Sequence, residues 1–384
     1  MKFNKWTSGV ASSLFAALAI VLFLVNAAPV SAQQQQTSAP AGPPKYSAVP
    51  LGTLGGTQSN VGGFSQIVNS QDAMVGNADT GDLNPNYANY NFLIGQNLYI
   101  QHGVVTQHFL RQELGALPGG LNQSVPTWIN ANNTVVGISE NGSIDPLIGI
   151  PEGVAVMWKN GQIFNLGTLG GYESVAFAVN DSDQVTGAAA NTVPDPNSFF
   201  GWGTQTRGFF YQNGVMTDLG TLGGNDTLAY IINDAGQIAG QSGKADGSVD
   251  PFVWTNGTMK DLGGLGGTSG FVDDMNSKGQ VVGGSNLAGD GVQHAFFWDG
   301  TMIHDLGSLN CGFRCDFSEA IWVNDNGDAV GYSNSPVQTH HAVLWKNGGA
   351  ITDLGTLPGD RCSRAWGINN ITVSYTHLTL PTKA

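Results

Sequence analysis

Basic residues are scarce in this chain: 14 Lys and Arg stand against 28 Asp and Glu, for a formal net charge of −14. Nucleic acid or an anionic bilayer would need a cationic face, so this balance excludes both as charge-driven partners. Glutamate is rarer still, confined to Glu113, Glu140, Glu152, Glu173 and Glu319. A paired-carboxylate glycosidase would therefore have to rely on aspartates. His-Glu-x-x-His, Gly-x-Ser-x-Gly, cysteine pairs at zinc spacing and sialidase-like Asp boxes are all missing, which leaves no catalytic residue, metal site or cofactor to name. Gly240-Gln-Ser-Gly243-Lys244 resembles a phosphate loop but lacks the earlier Gly and the closing Ser or Thr, and reads as a turn.

Cysteines and long apolar runs are equally sparse. In an oxidising compartment Cys311, Cys315 and Cys362 allow three pairings; a Cys315–Cys362 bond would join corresponding crossovers of adjacent repeats, and Cys311–Cys315 would close a local loop. One apolar run covers 14–25, behind Lys2 and Lys5 and ahead of Val30-Ser31-Ala32. It is too short for a membrane span and suits a signal peptide over 1–32, so the mature chain is expected to be secreted or held at a bacterial cell surface, with no membrane span in the part shown. Residues 33–45, rich in Gln, Ala and Pro, read as a disordered linker.

Glycine is abundant, 55 residues, and it is placed by a repeat. Asn69, Asn130, Asn180, Asn233, Asn276, Asn324 and Asn369 recur at steps of 61, 50, 53, 43, 48 and 45. The first six are each followed seven residues later by a glycine: Gly76, Gly137, Gly187, Gly240, Gly283 and Gly331. Three residues after each Asn stand Asp72, Asn133, Asp183, Gly236, Gly279 and Gly327, the side chains that best tolerate positive φ, so a tight reversal is expected there. A second hairpin follows, with an apolar strand, an Asn-Gly or Asp-Gly pair and a strand closing on Asp-Leu-Gly.

Four short antiparallel strands in roughly 40 to 50 residues, repeated in tandem, predict an all-β chain with a β-propeller of about seven blades over 46–370. A β-solenoid is the alternative, but its coils are shorter and lack hairpins of this kind. The last blade is incomplete, and residues 46–51 read as a strand that completes it and closes the ring. After Asn370 the pattern fails: Thr372 stands where a φ-tolerant residue is due and Thr376 where Gly is due. Residues 371–384 resemble sequencing-adaptor read-through and are not expected to be native.

The units Asp261-Leu-Gly-Gly-Leu-Gly-Gly267, Gly279-Gln-Val-Val-Gly283 and His294-Ala-Phe-Phe-Trp298 resemble those of the bacterial HAF-type extracellular repeat family. The likeness covers about 51–370 and departs at Leu-Gly-Ala-Leu-Pro-Gly-Gly (114–120) and in the first unit, which lacks a clear His-Ala-Phe. It implies export and a propeller-like repeat, and no activity.

Most motif residues have structural readings. His294 and His341 share one repeat position, but other copies carry Val154, Gly208 and Pro251 near it, which suits strand entry rather than a metal ring. Trp158, Tyr211, Trp254, Trp298 and Trp345 are expected between blades. What does not repeat is loop length. From the second-strand Gly to the residue before the next turn, units one to six span 24, 21, 24, 14, 15 and 14 residues. The long loops carry Asp79, Asp82, Asn84, Tyr87 and Tyr90 in the first unit and Asp195, Asn197, Phe199, Phe200 and Trp202 in the third. Aromatic rings beside short polar side chains suit stacking on sugars. The expectation is a non-catalytic binding or adhesion scaffold for an extracellular glycan or surface protein; a polysaccharide-active hydrolase or lyase using loop aspartates, and a structural spacer, are the alternatives.

Overall fold

The computed structural model describes residues 52–60, 66–309, 316–336, 339–357, 359–370 and 374–377. Six units of four antiparallel strands follow one another, the fourth and fifth joined into one sheet by a single parallel bridge. Blade one comprises Gly55–Asn60, Met74–Leu83, Tyr99–Gln107 and Leu110–Glu113; blade two, Ser124–Ile129, Val135–Ile144, Pro151–Lys159 and Gln162–Gly167. Blade three comprises Gly170–Val179, Val185–Pro194, Thr204–Gln212 and Val215–Asp218; blade four, Gly223–Ile232, Ile238–Lys244, Val249–Thr255 and Thr258–Asp261. Blade five comprises Gly266–Met275, Val281–Leu287, Gln293–Trp298 and Ile303–Asp305; blade six, Ser318–Val323, Ala329–Asn334, His340–Trp345 and Ile351–Gly355. A seventh unit opens with Arg364–Ile368, paired to Ser374–His377 from the stretch read as a non-native tail. The fold is a β-propeller, as the repeat predicts; the strand expected at 46–51 and the proposed signal peptide and linker lie outside the described residues.

The turn chemistry follows the sequence closely. Asp72, Asn133, Asp183, Gly236, Gly279 and Gly327 all have positive φ, between 57° and 82°. Asn160-Gly161, Asn213-Gly214, Asn256-Gly257 and Asn347-Gly348 reverse the second hairpins with both residues at positive φ, the combination that matches strand twist. Blade one makes the same reversal with His108 and Phe109, at φ 47° and 66°. Gly240–Lys244 is no turn: it lies inside the strand Ile238–Lys244, because the repeat places its second strand there.

The recurring Asn does more than cap a turn. In each of the first six units its Oδ1 accepts two backbone N–H groups, two and four residues on, at 2.9–3.1 Å. Its Nδ2 donates to the main-chain carbonyl of the next Asn: Asn69 to Asn130 and Asn130 to Asn180 at 2.8 Å, Asn180 to Asn233 at 3.0 Å, Asn233 to Asn276 at 3.3 Å, Asn276 to Asn324 at 2.8 Å and Asn324 to Asn369 at 2.9 Å. One buried side chain therefore fixes a turn and ties its blade to the next.

A bulge explains the glycine. Three residues before the Asn, the first strand carries one extra residue: Thr127, Phe177, Tyr230, Asp273, Ile321 and Trp366 in blades two to seven. The kink turns the carbonyl two residues earlier toward the second strand. A Cβ on Gly137, Gly187, Gly240, Gly283 or Gly331 would overlap the carbonyl oxygen of Val125, Val175, Leu228, Phe271 or Glu319. These glycines are needed for close approach and not for positive φ.

The apolar faces fill the spaces between blades. One cluster runs from Trp128 and Val136 in blade two to Phe296 and Trp298 in blade five, and a second joins blades five and six around Trp345. The aromatic slot holds Trp158, Trp254, Trp298 and Trp345, all buried, with Tyr211 packed on the first cluster. Trp345 Nε1 donates to Leu306 O at 2.9 Å, so the ring's polar edge is matched as well.

Gly240→Ala is expected to cost about 2–4 kcal/mol, because the neighbour it meets is backbone and cannot step aside. Gly291→Ala, with open space around it and ordinary φ, should change stability by under about 0.5 kcal/mol. Equilibrium denaturation of both variants checks the contrast.

Candidate functional site

The second-to-third-strand loops emerge at the end of each blade where the Gly-rich crossovers enter. In blades one to three the second strand is extended to ten residues, against seven in blades four and five and six in blade six. The residue seven before the Asn of the following blade then meets the loop. It is Gln123, Glu173 or Asp226 where the loop is long, and Ser269, Phe317 or Cys362 where it is short.

That side chain bonds the first loop, the strand that leaves the second loop, or the third loop. Asn97 Nδ2 donates to Gln123 Oε1 at 3.1 Å. Glu173 Oε2 accepts from Asn91 Nδ2 at 2.9 Å and from the Gly153 N–H at 3.0 Å, and Asn91 Nδ2 also reaches Pro151 O at 3.1 Å. Asp226 accepts from the N–H groups of Thr206 at 2.7 Å and Phe199 at 2.8 Å. Asn91 and Glu173 are both fully buried, so the first loop, the second loop and the first strand of blade three meet at one water-excluded junction.

The residues named from sequence divide between interior and surface. Asp79 is buried and accepts from the Thr57 and Gln58 N–H groups and from Gln101 Nε2. Asn84 is buried, forms an Asx turn to the Asn86 N–H and donates to Asn97 O. Asp195 is buried and accepts from Asn197 N and Asn225 Nδ2, both at 2.8 Å. Trp202 is fully buried, with Phe200 stacked against it at 4.8 Å between centroids and Phe92 of the first loop 6.0 Å beyond Phe200. Tyr90 is half-buried; Asp82, Tyr87, Asn197 and Phe199 are exposed. Phe199 sits edge-on to Phe200, 5.1 Å away. The aromatics of loops one and three are thus brought together, but mainly with one another and with Ile94, Ile148 and Leu228.

His294 and His341 each bond the Asp of the Asp-Leu-Gly strand beside them: His294 Nδ1 to Asp305 at 2.8 Å and His341 Nδ1 to Asp353 at 3.0 Å. Blade one does the same with His102 and Glu113, which identifies His102-Gly103-Val104 as its version of the His-Ala-Phe strand. Asp305 and Asp353 also cap the turn into the crossover through the N–H of Gly307 and Gly355. The repeat position therefore serves a cross-strand pair, and no group of three or more metal-ligating side chains exists among the described residues. Cys362 is exposed with a free thiol; Cys311 and Cys315 lie outside the described residues.

A second set of residues carries no signal in the repeat pattern: the bulge positions themselves. They occupy the first strand, the innermost of each blade, and reach their counterparts next door. Thr127 Oγ1 donates to Ala176 O at 2.7 Å, and the rings of Phe177 and Tyr230 lie 5.3 Å apart. Asp273 Oδ2 is buried without a hydrogen-bond donor, and burial, then the nearby charges of Glu319 and Asp274, push its carboxyl well above the ordinary range. Tyr332 donates to Glu319 Oε2 at 3.0 Å while Arg364 lies over the Tyr332 ring at 4.2 Å. The inner wall thus carries aromatic rings at Phe177 and Tyr230 in blades three and four, with Thr127, Ile321 and Trp366 at other bulges, and the charged Asp273, Glu319 and Arg364 in blades five to seven.

No protein-family model matches the chain, and no curated protein matches it. Solved structures do, at low identity. The beta-propeller domain of the Trilobed protease from Pyrococcus furiosus is 9% identical, with a TM-score of 0.47, covering 79% of this chain and 85% of that one. A prolyl endopeptidase is 10% identical, TM-score 0.49, over 75% of this chain and 42% of that one. Porphyromonas gingivalis dipeptidyl peptidase 4 is 13% identical, TM-score 0.47, over 78% and 46%. The chain spans under half the length of the last two.

The expectation of a binding or adhesion scaffold, directed at glycans or a surface protein through the long loops, is corrected here. The loop side chains chosen for stacking and hydrogen bonding are largely buried and satisfy one another, which leaves them little to offer a ligand. The alternative of a polysaccharide-cleaving site loses Asp79 and Asp195, which are buried with their oxygens bonded, and keeps Asp82 of the named loop aspartates at the surface.

Burial pushes the Glu173 carboxyl up to about 8, outweighing the bonds from Gly153 and Asn91 that favour its charged form. Unfolded, it ionises near 4.5. Between these values the native protein holds the extra proton, so stability falls as pH rises through that window. Glu173→Gln should flatten this slope in denaturation midpoints measured at both ends of the window; an unchanged slope would contradict the assignment.

Proposed function

We propose that the chain is a propeller that works beside a peptidase, its hub receiving extended peptide segments, and that it does not act as a free-standing surface binder. What carries this reading is the pattern of variation. Around each Asn the scaffold repeats, yet the bulge residue on the first strand is different in each of blades two to seven: Thr127, Phe177, Tyr230, Asp273, Ile321 and Trp366. Scaffold requirements recur with the repeat, whereas a recognition surface needs side chains that differ from place to place. An aromatic wall opposite carboxylates and one guanidinium offers an extended chain both apolar contact and groups for its charged ends. The peptidase setting is that of the propellers named above, and export, read from residues 1–32, together with the HAF-type assignment of the repeat, belongs to the same proposal.

Binding of short fluorescein-labelled unstructured peptides to the purified chain, followed by fluorescence polarisation, tests it. Tyr230→Ala and Asp273→Asn should weaken binding about tenfold or more, equivalent to about 1.4 kcal/mol, while Phe199→Ser on the loop face should leave it unchanged. No binding to any peptide, or loss only in Phe199→Ser, would overturn the reading.

A further inference from the structure

Six joints connect the seven units, and three kinds of bond recur across them. The first is a hydroxyl latch six residues before each Asn. Ser124, Ser174, Thr227, Ser318 and Ser363 donate to the crossover carbonyls of Gly115, Gly167, Gly220, Gly307 and Gly355 at 2.6–2.8 Å. At four of these joints the same hydroxyl accepts a third-strand N–H from the preceding blade, from Gly103, Ala155, Ala295 or Ala342, at 2.8–3.0 Å. Between blades four and five the latch is chemically impossible. The residue six before Asn276 is Gly270, which has no hydroxyl, and the residue in the donor position is Pro251, which has no N–H. A Cβ on Gly270 would lie 2.9 Å from Pro251 Cδ, so the proline also keeps serine out.

The second kind links residues that follow the Asn. The N–H of Ala131 donates to Asp181 Oδ1, that of Asp181 to Asp234, that of Ser277 to Asp325 and that of Asp325 to Asn370, at 2.8–3.1 Å. At the first joint Gln71 Nε2 reaches Ala131 O instead, at 2.7 Å. Between blades four and five Asp234 faces Ser277, whose hydroxyl donates onward to Asp325 at 2.6 Å, and no such bond forms. The third kind is the Asn ladder, and its longest member, 3.3 Å, is again the one from Asn233 to Asn276. What holds this joint is one parallel strand bridge, Val249 to Ser269, the Lys260 ammonium over the Trp298 ring at 4.4 Å, and apolar packing around Trp254 and Met275.

We propose that the propeller carries a built-in seam between blades four and five, along which it opens before any other joint. Three independent bonds that lock the other blades are absent or stretched at this one place. Tyr230 and Asp273 stand on its two sides, so opening there parts the aromatic wall of the hub from the charged one. The seam follows from the joint chemistry and holds whether or not a peptide enters the hub.

Hydrogen exchange of the whole purified chain, read by mass spectrometry, tests it. Amides of Val249–Thr255 and Gly266–Met275 should exchange about tenfold faster than those of Pro151–Lys159 and Gly170–Val179, which flank an intact joint. The double variant P251A/G270S restores both donor and hydroxyl and should bring the seam to within about threefold of that joint. In the converse variant, Ser174→Gly, exchange at the joint between blades two and three should rise to match the seam. Equal exchange at the two joints in the natural chain, or no rise in Ser174→Gly, would overturn the proposal.

Discussion

The side-chain amide of one asparagine per blade is the constraint on which the rest of this fold depends. Its oxygen closes a reversing turn and its nitrogen crosses to the carbonyl of the next asparagine. A hydrogen bond of this kind contributes about 1 kcal/mol net, but leaving the buried carbonyl unmet costs about 1–3 kcal/mol. Because the asparagines of blades two to six both give and receive, the ladder sets the spacing and the rotation of neighbours together. The bulge, the glycine opposite it and the hydroxyl latch are all placed at fixed distances from that residue, which is why the sequence can absorb loops of very different length without losing the repeat.

Much of this was readable from the residues, and the limit of that reading is physical. The asparagine, the φ-tolerant residue three positions on and the Asn-Gly hairpins announce local backbone conformation, and local conformation is what a single repeat can encode. The amide nitrogen's partner lies 43 to 61 residues away in the next blade, so nothing in one unit reveals it. The recurrence of Gly240 and its counterparts was legible, but its cause, a carbonyl of the bulged neighbouring strand that occupies the space of a Cβ, was not. Gly270 and Pro251 likewise carry meaning only as a pair across a joint.

The loops of blades one to three illustrate the opposite error. Aromatic and acidic residues in a long, unrepeated loop resemble a ligand site, but Gln123, Glu173 and Asp226, at or just before the first strand of the next blade, accept bonds from those loops and the strands beside them. Phe200 and Trp202 then serve a local core, and Asp79 serves the entry of its own blade. The hub residues were overlooked for a related reason: a sequence aligned on its regularities treats a position that varies in every unit as noise, whereas here that position is the inner wall.

The central claim, that the amide nitrogen and not the turn alone holds the ring, is tested most directly by Asn180→Asp. The aspartate keeps the oxygen that accepts from Ser182 and Gln184 and replaces only the amide nitrogen, which donates to Asn233 O and to Gln184 Oε1. Equilibrium unfolding at neutral pH should show a loss of about 2–4 kcal/mol, from a carboxylate set against a carbonyl in a buried joint. Asn160→Asp, in an outer hairpin, should cost under about 0.5 kcal/mol. Equal effects in the two variants would contradict the account.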